Sequence, residues 1–267
     1  MSDGHDVQHL SVRGTGVRIL RHGSGEPLVF LHGAGDRGEW LPVLAGLAAD
    51  WAVWRPDHPG FNQSDDDERI DSVHDLAFFY LDLLDALQLP RVTLVGASLG
   101  GWLAAEIAVL APERVAALVL IDAAGLRVAG APAPDVFMLN PVQLAELLFH
   151  DPALRSAAIE QAAVLDQSPE ELRNYLRNRI ATSHLAWNPY FHDPKLAERL
   201  HRVTAPTVVI WGSEDRLVPV NHAERWLELI ADARIELVAD AGHLPHIEQP
   251  ERVVEILRSV RREELPA

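Results

Sequence analysis

The sequence predicts an α/β fold: a mostly parallel central sheet with helices on both faces and an inserted helical cap. Three observations predict it. Short apolar runs recur at wide intervals, at 27–31, 51–55, 92–95, 115–121, 207–211 and 235–238. They read as strands buried on both faces of a parallel sheet. Segments of helical period lie between them, and strands alternating with helices imply right-handed crossovers with ligand sites at the carboxyl ends of the strands. From about Gly125 to Val203 the alternation stops and only helical patterns appear, over a stretch too long to be a structureless loop between two strands of one sheet.

Taken in order, residues 7–22 alternate loosely between Gly14, Gly16, Gly23 and Gly25, which predicts an antiparallel pair with glycine turns. The clearest helix is 72–87, with Leu76, Phe79, Tyr80, Leu83, Leu84 and Leu87 on one face and Ser72 with Asp75 as a capping box. In the helical stretch, Ser168-Pro-Glu-Glu171 is a second capping-box signature, followed by Leu172, Tyr175, Leu176 and Ile180 at helical spacing. A closing amphipathic helix over 250–260 turns Val253, Val254, Leu257 and Val260 inward. The expected division is a catalytic core of 1–124 and 204–267 with a cap of 125–203.

The totals narrow the function classes. A net charge of −16 with a single lysine, Lys195, opposes binding to nucleic acid or to an anionic membrane, which both need clustered cations. There are no cysteines, which excludes disulfides, thiolate metal sites and a cysteine nucleophile. No apolar run approaches the roughly 20 residues of a membrane span, and Met1-Ser-Asp-Gly-His-Asp6 is not a hydrophobic leader, so the expected location is cytoplasmic. The expected partner is a small-molecule substrate, with the chain a monomer or homodimer.

The chemistry centres on 92–105, where an apolar run stops at Gly96 and a helix-forming run begins after Ser98. A strand that turns into a helix within a few residues strains its corner residue and needs small neighbours, here Gly96, Ala97, Gly100 and Gly101. The corner presents the serine oxygen near the free amides of the following helix, where negative charge is stabilised. After the first parallel strand, Leu31-His-Gly-Ala-Gly-Asp36 lets backbone amides approach a bound group. The amides of Ala34 and Leu99 are the expected oxyanion hole, each donor typically worth roughly a hundredfold to a thousandfold in rate.

A nucleophilic serine needs a base, and the base needs a carboxylate to fix its tautomer. Gly212-Ser-Glu-Asp215 and Asp240-Ala-Gly-His243 follow successive strands and supply both at the same sheet edge. Asp215 is preferred to Glu214, with Asp122 a reserve acid better read as a turn residue. His243 is preferred to His246, which reads as closing the loop. Neither that histidine pair nor His192 with His201 has the spacing of a helical zinc site, so no metal and no cofactor are expected.

His32-Gly33, Pro56-Asp-His-Pro-Gly-Phe61, Gly96-Ala-Ser-Leu-Gly100, Gly212-Ser-Glu-Asp215 and Gly242-His243 together resemble the α/β-hydrolase superfamily over nearly the whole chain, in its serine-nucleophile branch. The implied triad is Ser98, Asp215 and His243. One departure is Asn62, where many relatives have glycine; it is read as affecting a loop only. The resemblance implies cleavage of an ester, lactone or thioester of a small hydrophobic substrate through an acyl-enzyme. The alternatives are a carbon–carbon hydrolase of aromatic ring-cleavage products and a triad-bearing small-molecule receptor. Carbon–carbon hydrolases commonly carry asparagine before the serine and tryptophan after the histidine, where this chain has Ala97 and Leu244. Candidate substrate contacts are Gly33, Met138, Trp187, Phe191 and Leu244.

Overall fold

The computed structural model describes residues 4–264, so Met1, Ser2 and Asp3, on which part of the leader reading rests, lie outside the described residues. Eight strands form one sheet: β1 Asp6–Val12, β2 Thr15–His22, β3 Pro27–Leu31, β4 Ala52–Pro56, β5 Val92–Ala97, β6 Val115–Ile121, β7 Thr207–Gly212 and β8 Ala233–Val238. Their order is β1-β2-β4-β3-β5-β6-β7-β8. The β1–β2 and β2–β4 pairs are antiparallel and the rest parallel. Order reverses around β3 and β5, which opens the crevice where such sheets bind ligands.

Ten helices accompany the sheet among the described residues: α1 Pro42–Leu47, α2 Val73–Ala86, α3 Leu99–Leu110, α4 Pro141–Leu148, α5 Pro152–Ala163, α6 Pro169–Ala186, α7 Leu196–Arg199, α8 Asn221–Leu229, α9 Pro245–Glu248 and α10 Pro250–Glu264. Alternation along the buried strands feeds two cores. In β6, Leu118 and Leu120 face the layer of α2, α3 and α8, while Ala117, Val119 and Ile121 face that of α1 and α10. Both faces being apolar is what makes the inner runs continuous in sequence; β8, expected to be buried on both faces, is instead an edge strand with Leu237 51% exposed. Val253, Val254, Leu257 and Val260 of α10 are buried, as the amphipathic pattern requires.

Between β6 and β7 the chain is helical, with α4 to α7 and three short 3-10 turns. Among the described residues no helix is long and apolar enough to cross a membrane.

Local expectations differ from the structure in two places. Ser72 and Ser168 do accept the amides of Asp75 and Glu171, but neither acid returns the bond: Asp75 turns to the Ser72 hydroxyl and Glu171 to Arg37. The reciprocal box forms instead at Asn140 and Gln143, which head α4. In α6, Leu176 and Ile180 are exposed, whereas Asn178, Thr182, Leu185 and Ala186 are buried. This helix meets the core through hydrogen bonds as much as apolar contact, so its hydrophobic spacing points the wrong way.

Candidate active site

Ser98 stands at the sharp turn between β5 and α3, with φ 52° and ψ −114°. Two close backbone approaches hold the turn. A Cβ on Gly96 would lie 2.1 Å from the Gly100 carbonyl oxygen, and one on Gly100 would lie 2.1 Å from that of Leu31. Only glycine fits at either position. The strain at Ser98 is therefore fixed by neighbours that cannot grow.

The Ser98 Oγ–H donates to His243 Nε2 at 3.0 Å, and the His243 Nδ1–H donates to Asp215 Oδ2 at 2.8 Å. This sets the tautomer with a free lone pair towards the serine. Asp215 is aimed by the amides of Leu217 and Val218, at 2.8 and 2.9 Å on its other oxygen. Burial opposes its charge, but the His243 ring and these donors outweigh that and hold its carboxyl below the usual range. Glu214 is exposed.

The loop carrying His243 is pinned from outside the sheet. Its amide donates to Leu148 O at 2.9 Å, and Glu248 accepts the amides of Gly242 and Asp151, both at 2.6 Å. His246 is buried against Phe30, and burial pushes its imidazole down to about 4. It is a neutral, buried side chain within α9.

Gly33 lies against the turn, a Cβ there falling 3.4 Å from Ser98 Cβ. Among the described residues no hydrogen bond engages the amides of Ala34 or Leu99. Two free donors beside a serine oxygen can hold a developing oxyanion. The whole constellation opens into a cavity of about 900 Å³, large enough for a drug-sized ligand.

Of the candidate substrate contacts, Gly33, Phe191 and Leu244 line this cavity. Met138 and Trp187 do not; they are 77% and 58% exposed. Trp187 ends α6 and leans on Phe137 at the surface. The wall that sequence reading missed is Val128-Ala-Gly-Ala-Pro-Ala-Pro134, built from small side chains where aromatic ones were sought.

Sequence reading also missed a buried polar network under the Gly33–Asp36 loop. Arg55 pairs with both Asp36 and Asp57, and Arg18 reaches Asp57 Oδ2 at 3.1 Å. Burial pushes Asp57 up, but Arg55, with Arg18, reverses this and holds it below the usual range. The rings of His32 and His58 stack at 3.7 Å, and His32 Nε2 accepts the His58 amide at 3.0 Å. Burial drives His32 down to about 3 and His58 well below its usual value. Asn62 is no simple loop residue: with φ 47° it bonds Asp57 through its side chain at 3.1 Å and receives α6 through Asn178.

A strand-borne serine at a strained turn, an imidazole and acid from later strand ends, and a glycine loop beside the serine match a known family architecture. The sequence model of the alpha/beta hydrolase family matches residues 28–256. The chain belongs to this family.

Two curated alpha/beta hydrolase relatives illustrate the range. The chain is 29% identical over 253 residues to a 2-hydroxy-6-oxo-6-phenylhexa-2,4-dienoate hydrolase of Burkholderia cepacia, covering 85% of this chain and 84% of the relative. It is 32% identical to a 2-hydroxy-6-oxononadienedioate/2-hydroxy-6-oxononatrienedioate hydrolase of Burkholderia vietnamiensis, covering 92% of each. Among solved structures, naproxen esterase of Bacillus subtilis superimposes with a TM-score of 0.74 at 21% identity, over 96% of this chain and 90% of that one. At that identity the likeness is one of fold.

Proposed function

We propose that this alpha/beta hydrolase cleaves a carboxylic ester, lactone or thioester of a small hydrophobic substrate through an acyl-enzyme on Ser98. The observation that carries the reading is the continuous relay from Ser98 through His243 to Asp215, opening into a largely apolar cavity. His243 Nε2 takes the Ser98 proton as Oγ attacks the carbonyl carbon, and the Ala34 and Leu99 amides hold the oxyanion. The tetrahedral adduct collapses, and His243 returns the proton to the leaving alcohol. Water, deprotonated by the same imidazole, then attacks the acyl carbon and frees the acid and Ser98. In this reading residues 125–203 cap the core of 1–124 and 204–267.

The named activities of the Burkholderia relatives favour a second reading, hydrolysis of a carbon–carbon bond in a ring-cleavage product. The side chains flanking the relay, Ala97 and Leu244, favour the first. Neither offers a hydrogen bond to the polar dienoate end of such a product.

Initial rates on p-nitrophenyl esters of increasing acyl length, for wild type and Ser98→Ala, test the proposal. Serine-dependent turnover is expected, falling by about a thousandfold or more in Ser98→Ala. Undiminished hydrolysis by the variant overturns the acyl-enzyme. A dienoate turned over faster than every ester replaces the first reading by the second.

A further inference from the structure

The relay has a fourth member that the mechanism above does not use. Asp122 follows β6 with φ 43° and is fully buried. Its Oδ1 accepts the Gly212 amide at 3.0 Å, while its Oδ2 is buried with no conventional partner. One oxygen each of Asp122 and Asp215 and a ring nitrogen of His243 lie within 4.8 Å of one another. No salt bridge reaches Asp122 among the described residues. The groups that face it are Asp215 from the loop after β7, His243 from the loop after β8, and Glu248 from α9.

Two carboxyls that share a buried site cannot both ionise without a cation between them. The His243 ring is the one group here able to become cationic, and it is bonded to Asp215. An orphaned buried oxygen is costly as a lone acceptor, but it is satisfied if it carries a proton that the neighbouring carboxylate accepts.

Resting on the triad reading above, we propose that Asp122 is a positioning residue: a neutral carboxylic acid at pH 7 whose Oδ2–H donates to Asp215. Asp215 then carries the negative charge alone. Burial and the Asp215 charge both push the Asp122 carboxyl well above its usual range, as this arrangement requires. The role differs from that of a reserve acid or a simple turn residue. Asp122 holds the plane of the Asp215 carboxylate so that Oδ2 faces His243, and it keeps a second negative charge away from the imidazole.

Asp122→Asn separates the possibilities, because the amide keeps the shape, accepts the Gly212 amide and donates to Asp215 as the acid does. Infrared spectra of the resting protein at pH 7, with no substrate, are compared for wild type and variant. A carboxylic-acid C=O band is expected in wild type and lost in Asp122→Asn. On a p-nitrophenyl ester, the acid limb of the kcat/KM profile should move by less than about 0.3 pH unit in Asp122→Asn. Absence of the band from folded wild type overturns the proposal. So does an acid limb that falls by about a unit in the variant, the sign of a lost negative charge. If wild type turns over no ester, the proposed function fails while the infrared band still decides this inference.

Discussion

Two pairs of aspartates, all but Asp36 with fully buried side chains, flank Ser98 at the same sheet edge, and the protein treats them in opposite ways. On one side, after β3 and β4, Asp36 and Asp57 share Arg55, with Arg18 added on Asp57. On the other, after β6 and β7, Asp122 and Asp215 have no arginine or lysine between them among the described residues. The first side is compensated by fixed cations, the second by an imidazole and, as proposed, a proton. The difference fits the work of each side. A guanidinium remains charged at any working pH and suits a loop that must only stay in place. In the proposed mechanism Asp215 must respond to an imidazole that gains and loses charge, and a permanent cation beside it would cancel that response.

The strongest way to break the comparison is to remove the fixed cation. Arg55→Met leaves Asp36 and Asp57 buried together, and losing one side of a buried ion pair costs about 3–5 kcal/mol. That corresponds to a fall in Tm on the order of 10 °C for a chain of this size. Urea midpoints check it. A loss below about 1 kcal/mol would mean that this pair, too, can be settled by a proton.

A second measurement sharpens the contrast through pH. His32 and His58 are buried as neutral rings, with pKa values below their unfolded value near 6.5. Their contribution is therefore complete above about pH 6.5 and is lost as pH falls, by about 1 kcal/mol each between pH 7 and 5.5. Asp122 has the opposite sign. Its folded pKa lies above its unfolded value near 3.8, so its contribution is complete below about pH 4 and is lost as pH rises. Urea midpoints of wild type and Asp122→Asn from pH 5.5 to 8 should show the acid-side loss in both proteins. The alkaline-side loss should appear in wild type alone, with the variant gaining on it as pH rises. Parallel curves would remove the proton from Asp122.

How much of this could be read from the chain depends on what each residue needs from its neighbours. Ser98, Asp215 and His243 were legible because each follows an apolar strand, and the fold sends strand ends to one edge. Gly96 and Gly100 announced the turn by their size. Arg55 was illegible, because an arginine ending a strand run looks like a surface charge until Asp36 and Asp57 are seen to enclose it. Asn62 and Asn178 are separated by 116 positions, and no local pattern pairs them. Met138 and Trp187 misled in the other direction: being large and apolar says nothing about which way a helix end turns them.

The smallest expected effect tests how the fixed-cation side is tied to the helical segment above it. Asn178 of α6 accepts the Asn62 amide at 2.8 Å and donates to the Asp36 carbonyl at 2.8 Å and to Asn62 Oδ1 at 3.0 Å. Its side chain thus joins the loop of Asp57 to the loop that carries Ala34. Asn178→Ala removes all three bonds, yet Arg177 still holds Gly60, Asn62 and Ser64 by their carbonyls. The stability loss should therefore be on the order of 1 kcal/mol. The kinetic effect should be more specific. Asp36 lies two residues from the Ala34 amide, the oxyanion donor proposed above, so a looser loop should misplace it and lower kcat by about tenfold with little change in KM. Among the described residues no hydrogen bond joins Asn178 to Asp122 or Asp215, so the acid limb of the pH profile should stay in place. A shift of that limb would mean that the two sides of the serine are coupled through α6 and cannot be treated as separate devices.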